Sequence, residues 1–282
     1  MSRPPAAFKR MVVGLPQSVA NHGAVDAVAE FAELLRIELV AAYVADPTLA
    51  ALAEWSGARE LRVLDQEWRA INVEQITREV EHAASLARGR FAESVKSRTI
   101  KTSFDIVAGA EVAASLIQAG DIVAIIEPSH PGERITRQFT HVLDAAFATA
   151  AAVLVMPRKL ARTSGPVLVF AAAGDVPSIR AGLEVAAALK ERLIVVMPPD
   201  APFPADILAD ADQLGIAVER YAGDGRTTLT ALAAFTAPIR ERLRVVTGGR
   251  LMDDASRLFS SLSGVPLLVV GGGRAEPADE QD

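Results

Sequence analysis

The chain has 282 residues, enough for about two domains, and half of them are apolar, which argues against an intrinsically disordered protein. Its formal net charge of −6 does not fit a nucleic-acid binder, which normally presents a concentrated basic face. The absence of cysteine excludes disulfides, thiolate catalysis and thiolate-ligated metal sites.

Short apolar runs alternate with amphipathic stretches through the first part of the chain. The apolar runs predict strands near residues 10–15, 38–44, 100–107, 121–126 and 152–156. Apolar residues at three- and four-residue spacing predict the helices between them. The segment 46–68 lies before the longest predicted helix, and we expect it to form an additional short helix.

The same pattern then occurs a second time. It predicts strands near residues 166–171, 192–197, 216–221, 243–247 and 266–270. The repeat predicts two domains, at 1–158 and 164–272, followed by a disordered acidic tail at 273–282. Because the linker between the repeats, residues 158–165, is short, we expect the domains to pack closely.

The type of strand indicates the fold class. Continuous apolar runs are typical of strands buried on both faces, as in a parallel sheet covered by helices. Strands that alternate with helices form right-handed βαβ units. We therefore predict an α/β, Rossmann-like protein with two doubly wound five-stranded parallel sheets, each in the strand order 3-2-1-4-5.

In such a sheet a ligand binds at the carboxyl ends of the strands, where the strand order reverses. In each repeat this point lies between the first and fourth strands. The loops that would line the two crevices are 16–23, 127–134, 172–177 and 247–254.

Four segments carry a family resemblance. A glycine turn is matched by Ile106–Ala113, and a fourth strand that begins with Asp is matched by Asp121–Ile126. The terminal strand is matched twice, by Ala152–Val155 and by Val265–Val270. On these residues each repeat resembles a universal stress protein domain, and the chain resembles the tandem form of that family. The resemblance implies an intrachain pseudo-dimer whose two fifth strands lie against each other.

ATP-binding members of the family carry Gly-x2-Gly-x9-Gly-Ser/Thr after the fourth strand. In this chain, Gly132 and Thr140 lie in the corresponding part of the first repeat, and Gly248 and Gly249 in that of the second. These four residues are the candidates for binding a nucleotide or an anion.

The rest of the family's ATP motif is missing. The first strands end without the family's aspartate, at Leu15-Pro16 and Ala172-Ala173. In the second repeat, Asp253 and Asp254 lie where a helix is expected to begin, and they would repel a phosphate there. We therefore expect no cofactor, and ATP or AMP binding is disfavoured.

Two histidines suggest a different ligand. His22 follows the first strand and His130 follows the fourth, so both are expected near the same crevice. Imidazole is an ordinary ligand of zinc and other divalent ions. A metal or anion site at His22 and His130 is therefore an alternative, although loops are often polar without binding anything.

The family resemblance implies a regulatory or stress-response role without ATP hydrolysis. We expect it to act through an unidentified protein partner or small ligand, and we find no catalytic constellation in the sequence. An adenine-nucleotide-binding stress sensor is the first alternative. A further homodimer is left open.

The location of the protein is predicted from its apolar segments. Residues 1–5 lack the long apolar core of a secretory signal. The most apolar run, 145–156, is shorter than the ~20 residues that span a bilayer. We therefore predict a cytoplasmic protein without a membrane partner.

Overall fold

A computed structural model describes residues 8–15, 22–45, 51, 55, 57, 59–62, 66–70, 72–128, 137–223, 239–248 and 263–271. The strands are β1 (Arg10–Leu15), β2 (Glu38–Ala45), β3 (Arg59–Arg62), β4 (Glu67–Ala70), β5 (Thr102–Ala108), β6 (Asp121–Ile126), β7 (Ala152–Met156), β8 (Val167–Phe170), β9 (Leu193–Met197), β10 (Val218–Ala222), β11 (Leu243–Thr247) and β12 (Leu267–Val270). The helices are α1 (His22–Leu35), α2 (Val73–Val95), α3 (Gly109–Ser115), α4 (Arg137–Thr149), α5 (Val176–Leu189) and α6 (Ala205–Leu214).

Ten strands form one continuous sheet in the order β10-β9-β8-β11-β12-β7-β6-β1-β2-β5. Within each half the order is the predicted 3-2-1-4-5, and all neighbours within a half are parallel. The first half comprises β1, β2, β5, β6 and β7, and the second half comprises β8 to β12.

The prediction of two separate five-stranded sheets is wrong. The fifth strands of the halves, β7 and β12, pair antiparallel, with Val153 opposite Val269 and Leu154 opposite Leu268. The physical reason is that each fifth strand would otherwise leave an apolar edge with unpaired backbone groups. Pairing edge to edge satisfies those groups and joins the halves into a single sheet. The expectation that the fifth strands lie against each other is confirmed.

The core is shared by the two halves. One cluster of buried side chains includes Met11 and Val13 of β1 together with Val169 of β8 and Val245 of β11. On this side of the sheet, α1 of the first half contacts α5 of the second. A second cluster surrounds the β7–β12 pair and includes Phe147 of α4.

The linker between the halves packs against the second half. The Ala161 N–H donates a 2.7 Å hydrogen bond to the carbonyl of Gly264. Gly165 has φ +128°, and a Cβ placed there would lie 2.4 Å from the Arg240 carbonyl oxygen, so only glycine fits. The close packing of the two halves that the short linker predicts is therefore observed.

The first half contains an insertion between β2 and α2. We predicted a short helix over 46–68, but residues 59–62 and 67–70 form the antiparallel hairpin β3–β4. The helix prediction is wrong there, because the two segments satisfy their backbone groups by pairing with each other, with Leu61 opposite Trp68. Ala51 has helical backbone, and the other residues of 46–54 lie outside the described ranges.

An ion pair fixes β1 beside β6 at the amino-terminal edge of the sheet. Arg10 donates from Nε and Nη2 to the two oxygens of Asp121, at 2.8 and 2.9 Å. Asp121 is buried, and it also accepts a 2.8 Å hydrogen bond from the Gln118 N–H. The hydrogen bond to Asp121 raises the pKa of Arg10 above its usual value. The aspartate of the fourth-strand motif therefore has a structural role.

Two predictions depend on the parts of the chain that are described. Among those residues, no helix is long and apolar enough to cross a membrane. The predicted acidic tail, 273–282, lies outside the described ranges.

Candidate functional site

The topology creates two equivalent crevices at the carboxyl edge of the sheet. In the first half β1 lies beside β6, and in the second half β8 lies beside β11. These are the points where the strand order reverses, and ligands of open α/β sheets bind at such points. The second crevice is the better described one, because its β8–α5 connection and the end of β11 both fall within the described ranges.

Three polar side chains form hydrogen bonds across the second crevice. Asp175, just before α5, accepts a 3.2 Å hydrogen bond from the Ser178 N–H through Oδ1. Its Oδ2 accepts a hydrogen bond from the hydroxyl of Thr247, the last residue of β11. The Ser178 and Thr247 hydroxyl oxygens are 3.2 Å apart. The three groups therefore bond to one another across the strand-order reversal.

The local sequence explains why Asp175 is in this position. Gly174 has φ +77°, a left-handed conformation that lets the chain turn sharply after β8. Asp175 then caps α5, and proline occupies the first turn of the helix, where a missing N–H costs nothing. Ser178 is fully buried, so its hydroxyl needs a partner within the protein, and Thr247 supplies it.

This arrangement has consequences for the ligand. The amino end of a helix attracts anions through its free N–H groups and its dipole. In α5 the carboxylate of Asp175 already occupies that end and bonds one of the N–H groups. A phosphate in the same place would meet a negative charge and would compete with an existing cap.

In the first crevice the described contacts are fewer. Glu127 follows β6; its N–H donates to the Met156 carbonyl at 2.8 Å, and its Oε2 accepts from the Arg158 N–H at 3.2 Å. These two bonds tie Glu127 to the end of β7. Glu127 therefore makes these contacts on the β7 side of β6.

The structure locates some of the candidate nucleotide residues. Thr140 is half-buried in the first turn of α4, and Gly248 is buried directly after β11. Gly132 and Gly249 lie outside the described ranges. The nucleotide site formed by these four residues therefore remains a prediction.

The candidate metal site also remains a prediction. His22 is the first residue of α1, and only its backbone is described. His130 lies outside the described ranges. Within those ranges, no group of three or more histidine, aspartate or glutamate residues is arranged to hold a metal ion.

The sequence pattern predicts the loops 172–177 and 247–254 but not the Asp175–Ser178–Thr247 cluster. A signal was present: an aspartate three residues before a serine, with a proline between them, in the loop that follows an apolar strand. The contribution of Thr247 had no such signal, because it depends on which strand lies next to β8.

A separate groove lies between α1 and α2. It has a volume of about 540 Å³ and is lined by Asp26 of α1 and, from α2, by Ser85, Leu86, Gly89, Arg90, Glu93 and Ser94. It is lined by helix residues alone, so it is distinct from the two crevices between strands.

The fold is that of the universal stress proteins. A universal stress protein from Archaeoglobus fulgidus DSM 4304 superposes with a TM-score of 0.62 at 16% sequence identity, covering 96% of this chain and 100% of that chain. A protein from Pseudomonas aeruginosa UCBPP-PA14 assigned to the same family gives a TM-score of 0.52 at 13% identity, covering 95% of each chain.

A third structure, a protein of unknown function from Pseudomonas aeruginosa PAO1, gives a TM-score of 0.50 at 14% identity over 94% of this chain and 93% of that one. No protein-family model matches the sequence, and no curated protein matches it. The resemblance that the sequence motifs indicated is thus confirmed at the level of the fold.

Proposed function

We propose that this chain is a regulatory stress-response protein of the universal stress type that does not depend on strong ATP binding. It acts through a protein partner or a small ligand in the cytoplasm. The observation that carries the proposal is Asp175, whose carboxylate caps α5 and accepts a hydrogen bond from Thr247, so that its charge and its bonds already occupy the second crevice.

The sequence of the other crevice supports the same conclusion. The loop after β6 contains Pro128 and Pro131 and a single glycine, Gly132. Prolines lack the backbone N–H that a phosphate-binding loop uses, and they restrict the backbone conformations that such a loop requires. The two halves therefore depart from the ATP motif in different ways, one through proline and the other through a carboxylate.

We further propose that the two halves act as one unit, with domains at 1–158 and 164–272. The shared core and the β7–β12 pair support this proposal, since separating the halves would expose two apolar strand edges.

Thermal unfolding with and without ATP and AMP, each with Mg²⁺, tests the nucleotide part of the proposal. A ligand present at a hundred times its dissociation constant stabilises a protein by about 2.7 kcal/mol. For a chain of this size that corresponds to a rise of several degrees in melting temperature. We expect no rise with either nucleotide at millimolar concentration.

Two variants sharpen the nucleotide experiment. Asp175→Asn removes one negative charge from the second crevice, and Asp144→Asn removes one from the exposed surface of α4 as a matched control. Nucleotide stabilisation of the wild-type protein would contradict the proposal and favour a sensor that uses Gly132, Thr140, Gly248 and Gly249. Stabilisation that appears only in Asp175→Asn would show that this carboxylate is what excludes the nucleotide.

The same assay with zinc tests the histidine pair. A zinc-induced rise that is lost in His22→Ala, but kept in a variant of the exposed His82 on α2, would establish a metal site and replace the proposal. Affinity capture from stressed and unstressed cells then addresses the protein partner. A partner enriched in stressed cells is the expected result.

A further inference from the structure

The hairpin β3–β4 carries an exposed apolar pair. Leu61 of β3 lies opposite Trp68 of β4, and the two side chains are 48% and 63% exposed. Within the described part of the chain, β3 and β4 pair only with each other and are separate from the ten-stranded sheet. Trp55, four residues before β3, is also exposed.

Such a hairpin is incomplete as a folded unit. An isolated two-stranded hairpin is marginally stable in water, and three or more strands with a covered apolar face are normally needed. Among the described residues, no strand other than β3 pairs with β4, so the backbone groups on its outer edge can pair with another strand. The exposed apolar pair and the open edge together indicate that another strand adds to β4.

The charges on β4 indicate which strand this is. Trp68 lies between Glu67 and Arg69, whose side chains project from the opposite face of the strand and form an ion pair of 2.9 Å. The order of charges about Trp68 is therefore self-complementary. If two copies of β4 pair antiparallel with Trp68 opposite Trp68, each Glu67 faces the Arg69 of the other copy.

We propose that β4 is a self-association site, at which two copies of this chain join their hairpins into one four-stranded antiparallel sheet. The two Trp68 and two Leu61 side chains then lie on one face of that sheet, and two Glu67–Arg69 pairs form on the other. An aromatic side chain buries roughly 150–250 Å². The interface therefore falls below the ~1,200 Å² that separates transient from stable complexes, and the dimer is weak.

Sedimentation velocity of the full chain over a range of concentrations tests the proposal. We expect the wild-type protein to dimerise with a micromolar dissociation constant, and Trp68→Ala to weaken the dimer. Glu67→Arg and Arg69→Glu each place like charges opposite each other in both cross-strand pairs. Each single variant should therefore associate roughly tenfold more weakly than the wild type.

The decisive measurement is the mixture of the two charge variants. When Glu67→Arg is mixed with Arg69→Glu, every cross-strand pair between different copies is again of opposite charge, so dimers should return. A hairpin that had merely unfolded would not be rescued by mixing. Glu81→Arg, an equivalent charge change on the exposed surface of α2, is the control and should dimerise as the wild type does.

Three results would overturn the proposal. The first is a wild-type protein that stays monomeric throughout the concentration range. The second is a mixture that associates no better than the separate variants. The third is a monomer whose tryptophan fluorescence shifts to the blue with phosphatidylcholine vesicles, which would assign the apolar face to a lipid surface instead.

Discussion

Arg242 donates a 2.7 Å hydrogen bond to Oε1 of Glu30, although the two residues are 212 positions apart in the chain. Arg242 lies just before β11 in the second half, and Glu30 lies on α1 in the first. The guanidinium carbon also lies 5.7 Å from the centre of the Phe31 ring. This contact therefore links the two halves on the side of the sheet where α1 meets α5.

Removing the Arg242 side chain should weaken the contact between the two halves and lower the stability of the protein. Its side chain is only 11% exposed, so Arg242→Ala loses packing on Phe31 as well as the ion pair. We expect a loss of about 1–2 kcal/mol in the free energy of unfolding. Glu30→Ala should cost less than about 1 kcal/mol, because Glu30 is more exposed and removing it leaves Arg242 on the ring.

Urea denaturation of both single variants and the double variant gives the coupling energy between Arg242 and Glu30. Arg192→Ala is the matched control, since its partner Glu219 lies in the same half. A coupling energy of zero between Arg242 and Glu30 would contradict the role of this pair as a link between the halves.

The contact between α5 and β8 depends on Gly182. A Cβ at this position would lie 2.3 Å from Cγ2 of Val169, whose β-branched side chain is fully buried and stiff at χ1. We expect Gly182→Ala to destabilise the protein by about 1–3 kcal/mol through overpacking. Calorimetric melting measures this as a lower melting temperature.

Gly89 provides the matched comparison. It is exposed within α2, and a Cβ there would meet no atom within 4 Å. Gly89→Ala should therefore stabilise the protein by about 0.5–1 kcal/mol, since alanine restricts the unfolded chain. Equal effects of the two substitutions would show that helix propensity, and not the close approach to Val169, controls Gly182.

The sequence predicted the strands well where an apolar run is continuous. The predicted and observed bounds of β6 and β7 are the same, because every residue of these strands is buried and no alternation obscures the run. Segment 46–68 was misjudged because its hairpin strands are short, charged and exposed. The single ten-stranded sheet was also missed, since edge-to-edge pairing depends on how the halves meet in space.

The candidate site was predictable only in its location. The order 3-2-1-4-5 correctly placed the crevices between β1 and β6 and between β8 and β11. The Asp175–Thr247 bond could not be inferred in the same way, because its two residues are brought together only when β11 lies beside β8.

Stability should depend on pH through Glu33. Its carboxylate accepts 3.0 Å hydrogen bonds from the Thr99 N–H and from Arg98, and these bonds lower its pKa, with the Thr99 N–H as the larger cause. A carboxylate with a lowered pKa stabilises the fold above its unfolded pKa, here near 4.5. That contribution is lost as the pH falls through the lower pKa of the folded state.

The comparison of wild type with Glu33→Gln measures this effect. The wild type should be the more stable at about pH 7, and the difference should shrink as the pH falls to about 3. Arg98→Ala should keep part of the pH dependence, because the Thr99 N–H remains. A difference between wild type and Glu33→Gln that does not vary with pH would refute this assignment.

The closed arrangement of the second crevice predicts a specific coupling between Asp175 and Thr247. In Asp175→Asn, Oδ1 can still cap α5, but the amide nitrogen that replaces Oδ2 cannot accept from the Thr247 hydroxyl. Asp175→Asn and Thr247→Val should each destabilise the protein, by about 1 kcal/mol. Together they should cost less than the sum, because both remove the same bond.

Chemical denaturation of the two single variants and the double variant provides this cycle, and Asp175→Ala completes it. Asp175→Ala removes the cap as well as the bond to Thr247, so it should cost about 1 kcal/mol more than Asp175→Asn. If the effects of Asp175→Asn and Thr247→Val simply add, the two side chains do not act together. In that case the hydrogen bond between Asp175 and Thr247 contributes nothing to the stability of the second crevice.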